Sequence, residues 1–231
     1  MRFLFSFTGG AGHFLPTVVF ARALARRGHD IRYACQDSMV TTVEAAGFCA
    51  EPTGGASLLN RAVRRPLAPV DRDAEERAMA RVFAGKAARE RRHRLTGLIE
   101  RWRPDLVVRD EVDFGAALAA DVARLPHAVI VVIAAGRLTR AAVIEAPLAA
   151  LRAELGLNPA DTMEALHRYL LLVPVPPSFH DPQSSNTPRH QTPVRPDRAR
   201  TCTLPSAPSF LKKAATCSSA SSPDSPRSPW T

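Results

Sequence analysis

A histidine lies among glycines in the segment Thr8-Gly9-Gly10-Ala11-Gly12-His13-Phe14-Leu15-Pro16, directly after the apolar run Arg2–Phe7. A neutral imidazole in such a place can take a proton from an incoming nucleophile. Small residues at Gly10 and Gly12 would let reacting groups approach the backbone. Acids follow a second apolar run, in Arg103-Pro104-Asp105-Leu106-Val107-Val108-Arg109-Asp110-Glu111-Val112-Asp113-Phe114-Gly115. In an open α/β sheet, ligands bind at the carboxyl ends of the strands, so both segments are expected at one sheet edge. Asp110 could then accept a hydrogen bond from His13, fix its tautomer and stabilise the imidazolium. Glu111 and Asp113 are the substitutes for that role. Asp113 is also well placed to cap a helix beginning near Phe114.

Other chemistries leave weaker marks. A dinucleotide fingerprint needs G-x-G-x-x-G; Gly10 and Gly12 fit its first two places, but Leu15 occupies the third. With Asp37 after the second expected strand as a ribose-binding acid, a nicotinamide reading survives weakly. A structural loop with His13 as a helix-start residue is a further alternative. His29, His93, His127 and His167 read as structural or surface residues. Cys35, Cys49, Cys202 and Cys217 form no CxxC and no metal-like cluster with histidine, which suggests a reduced, cytoplasmic protein. There is no HExxH, P-loop or G-x-S-x-G motif.

The elements that must position these residues alternate between strand and helix signals over the first 175 residues. That pattern argues for an α/β fold, a Rossmann-like parallel sheet with helices on both faces. Strands are expected at Arg2–Phe7, Asp30–Cys35, Phe48–Pro52, Asp105–Val108, His127–Ile133 and Tyr169–Val175. Helices are expected at Thr17–Arg27, from Ser38 to near Gly47, at Ala74–Trp102 with a break near Gly85, at Phe114–Arg124 and at Thr139–Leu155, followed by a short one opened by Asn158-Pro159. Thr53–Asp73, with Gly54-Gly55, Pro66 and Pro69, reads as a long loop.

The chain has 231 residues, 45% of them hydrophobic, and a formal net charge of +9. The charge is uneven: of 31 Lys/Arg and 22 Asp/Glu, seven and two fall in residues 183–231. The body is therefore only mildly basic. Arginine-rich stretches such as Arg89–Arg94 read as solvated helix faces; no aromatics are interleaved with them for base stacking, so nucleic acid is not an expected partner. The apolar start is interrupted by Gly9-Gly10, His13 and Pro16, and reads as a buried strand and loop, not a signal peptide. No run of 18 apolar residues suggests a membrane span. Residues 183–231 contain no Gly, ten Ser and eight Pro. Such a stretch buries too little apolar surface to offset its ordering entropy, so a disordered tail is expected. A reading-frame shift in a GC-rich gene would yield this composition; a genuine linker or tail is the alternative.

The opening of the chain, Met1–Cys35, resembles that of GT-B nucleotide-sugar-dependent glycosyltransferases, especially the actinobacterial type that glycosylates macrolides and other natural products. The resemblance rests on the strand Arg2–Phe7, the loop Gly10-Ala11-Gly12-His13-Phe14-Leu15-Pro16 and the helix containing Ala21-Arg22-Ala23-Leu24-Ala25-Arg26-Arg27-Gly28-His29. Arg103–Asp110, Phe114-Gly115 and Leu125-Pro126-His127 are similar to the family's fourth strand and the segment after it. Val173–Pro182 is similar to the end of its N-terminal domain. The resemblance covers residues 1–182 and implies an acceptor-binding Rossmann-like domain there. It implies that His13 deprotonates an acceptor hydroxyl with Asp110 in support, and that Gly10, Gly12 and Phe14 line the approach of acceptor and donor. The hydroxyl oxygen would then displace the nucleotide from an activated hexose with inversion, without a metal or other cofactor. The implied partners are a hydrophobic, hydroxylated small molecule and a nucleotide-sugar. Residues 183–231 show nothing like the family's second, donor-binding domain, so the chain is expected to have little or no activity alone. A non-catalytic small-molecule-binding or helper protein is the alternative.

Overall fold

The computed structural model describes residues 1–54, 69–132 and 139–174. The expected tail at 183–231, most of the expected long loop (55–68) and residues 175–182 of the expected domain end lie outside the described residues.

Among the described residues, six strands form one parallel sheet: β1 Arg2–Ser6, β2 Asp30–Cys35, β3 Cys49–Pro52, β4 Leu106–Asp110, β5 His127–Ile130 and β6 Leu170–Leu172, in the spatial order β3-β2-β1-β4-β5-β6. Chain order reverses at β1, which pairs with β2 on one side and with β4 on the other. Loops after β1 and β4 therefore diverge to opposite faces and open a crevice between them. The pairing sets Ser6 opposite Arg109, so both strands end within a residue of each other.

The helices are α1 Ala11–Arg26, α2 Val40–Ala45, α3 Arg72–Ala78, α4 Ala88–Trp102, α5 Phe114–Val122, α6 Ala141–Glu154 and α7 Thr162–His167. Strand side chains alternate between faces. Phe3, Phe5, Ile31, Tyr33 and Val108 pack with Phe14, Val18 and Ala21 of α1 on one face. Leu4, Ala34 and Val107 pack with Leu95, Leu98, Ile99 and Trp102 of α4 and with Ala116, Ala119 and Ala120 of α5 on the other. Burial on both faces explains why the strands read as continuous apolar runs. A third cluster, outside the α4–α5 layer, joins Val112 and Phe114 to Ile144, Leu148 and Leu151 of α6.

The α4–α5 layer depends on Gly115. A Cβ added there would come within 2.6 Å of Arg91 Cβ and 2.9 Å of the Ala88 carbonyl oxygen. Only a residue without a side chain lets the two helix backbones approach this closely.

Several expectations are corrected. The first helix begins at Ala11 and not at Thr17, so His13, Phe14 and Pro16 are helical. Glycines and a proline read as loop residues, yet Gly10 occupies the cap position and Pro16 lies inside the helix. The buried face of α1 is Phe14, Thr17, Val18 and Ala21, while Leu15 and Val19 are exposed. Near Gly85 the helix does not break; it widens into a π-helical stretch over Met79–Ala87 between α3 and α4. The fourth strand runs on to Asp110; among the described residues the fifth covers His127–Ile130 and the sixth Leu170–Leu172, while the expected ends at Ile133 and Val175 lie outside those residues.

Leu95 is fully buried between α4 and the sheet. Leu95→Ala is expected to lower stability by about 2–5 kcal/mol, seen as a lower urea midpoint at unchanged slope.

Candidate active site

The loop after β1 and the end of β4 meet at the crevice. His13 occupies the first turn of α1, and its Nδ1 lies 2.9 Å from Asp110 Oδ2. A carboxylate only accepts, so neutral His13 carries its proton on Nδ1 and leaves Nε2 as the free lone pair. The His13 side chain is 17% exposed, whereas that of Asp110 is fully buried.

Asp110 is held by more than the histidine. Its Oδ2 also accepts the Thr8 N–H at 3.0 Å. Its Oδ1 accepts the N–H groups of Val112 at 2.8 Å and Asp113 at 2.7 Å. One carboxylate thus ties the loop after β1 to the turn after β4.

Burial alone would lower the His13 pKa. The hydrogen bond and charge of Asp110, with the charges of Glu111 and Asp113, outweigh it and raise the pKa above the usual imidazole value. Nε2 is thereby a stronger base than an isolated imidazole.

Gly9 lies under the ring, with φ at +137°. A Cβ there would fall 2.5 Å from His13 Cδ2 and 2.8 Å from Nε2. Both the backbone conformation and the close approach require glycine. By contrast, a Cβ added to Gly10 or Gly12 would meet nothing within 4 Å. The sequence points to Gly10 and Gly12, but the glycine on which the ring depends is Gly9.

The remaining candidates take other places. Phe14 is corrected from an approach-loop residue to a core residue. It is buried against Phe7 and Tyr33, because a helix starting at Ala11 turns it toward the sheet. Glu111 accepts the Val132 N–H at 2.8 Å. Asp113 caps α5 through the Ala116 N–H at 3.2 Å and does not replace Asp110 beside His13. Asp37, the acid of the nicotinamide reading, accepts the Gly54 N–H at 3.1 Å.

His127 and His167 have imidazole pKa values lowered chiefly by burial, His167 to about 4. Both feel the charge of the buried Arg109, whose guanidinium donates to the carbonyls of Asp110, Glu111 and Leu166. A surface groove of about 510 Å³, lined by residues such as Arg81, Lys86, Arg89 and Pro147, includes none of the crevice residues. Among the described residues, no group of three or more His, Cys, Asp or Glu side chains could hold a metal ion.

Sequence reasoning missed Arg91. Part of a stretch expected to be solvated, it is buried. Its Nε and Nη2 clamp Asp113 at 3.0 and 2.7 Å, Nη2 also reaches Ser6 Oγ at 2.9 Å, and Nη1 reaches Thr53 Oγ1 at 2.9 Å. Burial opposes both charges. The pairing nevertheless raises the Arg91 pKa and holds the Asp113 carboxyl below its ordinary value. The signal for Arg91 was its spacing: it falls on the stripe Ala88, Leu95, Leu98, Ile99 and Trp102, the buried face of α4.

The raised His13 pKa has a testable sign. Its charge-linked stabilisation is fully present below the unfolded imidazole pKa and is lost as pH rises through the higher folded value. His13→Ala should therefore destabilise more at about pH 5 than at about pH 9 in urea unfolding. Asp110→Asn should move the His13 titration down, as read by NMR of labelled histidine. Gly9→Ala should displace the ring and do the same.

No protein-family model matches the chain. A curated L-demethylnoviosyl transferase of Streptomyces niveus is 30% identical over 132 residues, 54% of this chain and 33% of that protein. The crystal structure of the Streptomyces sp. SF2575 glycosyltransferase SsfS6 matches with a TM-score of 0.57 and 27% identity, over 68% of this chain and 47% of that one. The spinosyn rhamnosyltransferase SpnG shares the fold, with a TM-score of 0.63 at 21% identity over 82% of this chain and 48% of its own. The chain thus spans about a third of the length of the curated relative (33%) and about half of the solved ones (47% and 48%). With its sheet order and its crevice, the chain resembles the N-terminal half of GT-B glycosyltransferases of the actinobacterial natural-product type.

Proposed function

We propose that this chain supplies the acceptor side of an inverting glycosyl transfer, with His13 as general base. The observation that carries the reading is the His13–Asp110 pair at the crevice between β1 and β4, 2.9 Å apart. In this mechanism Nε2 of His13 takes the proton of an acceptor hydroxyl. The hydroxyl oxygen forms a bond to the anomeric carbon of a nucleotide-bound hexose from the face opposite the nucleotide. The bond from that carbon to the phosphate oxygen breaks, and its electron pair leaves with the nucleoside diphosphate. Asp110 stabilises the imidazolium that results. The step itself calls for no metal.

The relatives support the substrate classes. SsfS6 is solved with thymidine diphosphate and SpnG with spinosyn aglycone. By analogy, the acceptor is a hydrophobic, hydroxylated small molecule and the donor a nucleotide-sugar, met in the cytoplasm. No described helix is long and apolar enough to cross a membrane. In a second reading the same crevice binds a small molecule, or serves a separate transferase, without catalysis; the His13–Asp110 pair would then hold a ligand hydroxyl by hydrogen bonding alone.

On the catalytic reading residues 1–174 supply the base to whatever donor half they are paired with. The test is a chimera joining residues 1–174 to the second half of SsfS6, assayed for sugar transfer. His13→Ala should lower kcat by about 10²–10⁴-fold with acceptor affinity nearly intact. Unchanged turnover in a working chimera would remove His13 as the base. A chimera that binds acceptor without transfer would favour the second reading.

A further inference from the structure

We propose that Arg91 is a positioning residue: by clamping Asp113 to Ser6 and Thr53, it fixes the turn that holds Asp110 against His13. The proposal rests on the reading of His13 as base.

The geometry is a chain of contacts from α4 to the crevice. Arg91 grips both oxygens of Asp113. The backbone N–H of that same residue donates to Asp110 Oδ1 at 2.7 Å. Ser6, the last residue of β1, donates its hydroxyl to Asp113 Oδ2 at 2.6 Å. Two residues later, the Thr8 N–H holds the other oxygen of Asp110. Thr53 carries the clamp to β2, since its N–H and hydroxyl both donate to the Cys35 carbonyl, at 2.8 and 2.9 Å. One guanidinium therefore ties together the carboxyl ends of β1 and β2, the exit of β3 and the start of α5.

Stability alone is a poor reason for such a group. A buried ion pair is often no better for folding than an apolar pair of the same volume. What the fork adds is direction: its donors lie in one plane at fixed angles, and between them they reach Asp113, Ser6 and Thr53. Gly115 supports the same purpose, because its missing Cβ leaves room for the Arg91 stem. Lysine keeps the charge but lacks the planar fork whose separate nitrogens reach Asp113, Ser6 and Thr53.

The test is a histidine NMR titration of the full chain, with no donor or acceptor present. The charged groups that act on His13 are Asp110, Glu111 and Asp113, and Arg91 lies behind Asp113. Arg91→Lys preserves that charge set, so a shift reports geometry. The expected result is a folded variant whose His13 titration falls toward the ordinary value of about 6.5. The double substitution Ser6→Ala and Thr53→Val removes two struts without exposing a charge and should move it the same way. If Arg91→Lys does not fold, the double variant decides. Leu95→Ala loosens the same helix without touching the clamp, and should leave the titration where it is. An unchanged His13 titration in the folded clamp variants would overturn the proposal, as would an equal shift in Leu95→Ala. The result stands whatever His13→Ala does to transfer in the chimera, so failure of this inference and failure of the catalytic reading are told apart.

Discussion

Parallel pairing of β1 with β4 is the constraint from which the rest of the site descends. Parallel strands all finish at the same edge, so the pairing of Ser6 with Arg109 brings two distant stretches of chain to one point. The loop after β1 needs partners for its backbone N–H groups, and the turn after β4 needs partners for its own. Asp110 answers both, accepting from Thr8 on one side and from Val112 and Asp113 on the other. The histidine joins a carboxylate already fixed by the backbone. Its orientation is therefore a product of the fold and not of a flexible side-chain encounter.

Beneath that pair, polar groups continue into the interior. A guanidinium and a carboxylate are both buried, yet each of their charges is opposed by the other and by neutral hydroxyls. Such a network is tolerable only when its donors and acceptors are met. It explains why the helix carrying Arg91 packs so tightly on the helix capped by Asp113, and why a glycine stands between them. Core packing and site geometry are here one problem with one solution.

Much of this was legible in the sequence. Apolar runs bounded by turn residues identified the strands, since strands buried on both faces leave a strong signal. The acids after Val108 could be placed at the same edge as His13 because parallel topology leaves few alternatives. Less legible was anything that depended on where a helix starts. With Gly10, Gly12 and Pro16 read as loop residues, Phe14 fell on the wrong side of the boundary, and its turn toward Phe7 and Tyr33 was hidden. Arg91 was hidden for a different reason. A charge among other arginines looks solvated, and only its phase on the apolar stripe marks it as buried. Its partners Ser6, Thr53 and Asp113 come from distant parts of the chain, so no local pattern joins them to it.

The glycines beside the histidine divide into two kinds, which bears on how such a crevice can diversify. Position 9 is closed, because its backbone angle and the ring above it both exclude a side chain. Positions 10 and 12 face open space. A lineage, or a directed-evolution library, can therefore place side chains at 10 and 12 while the base stays anchored over 9. Evolvability and chemistry are assigned to neighbouring residues of one short segment.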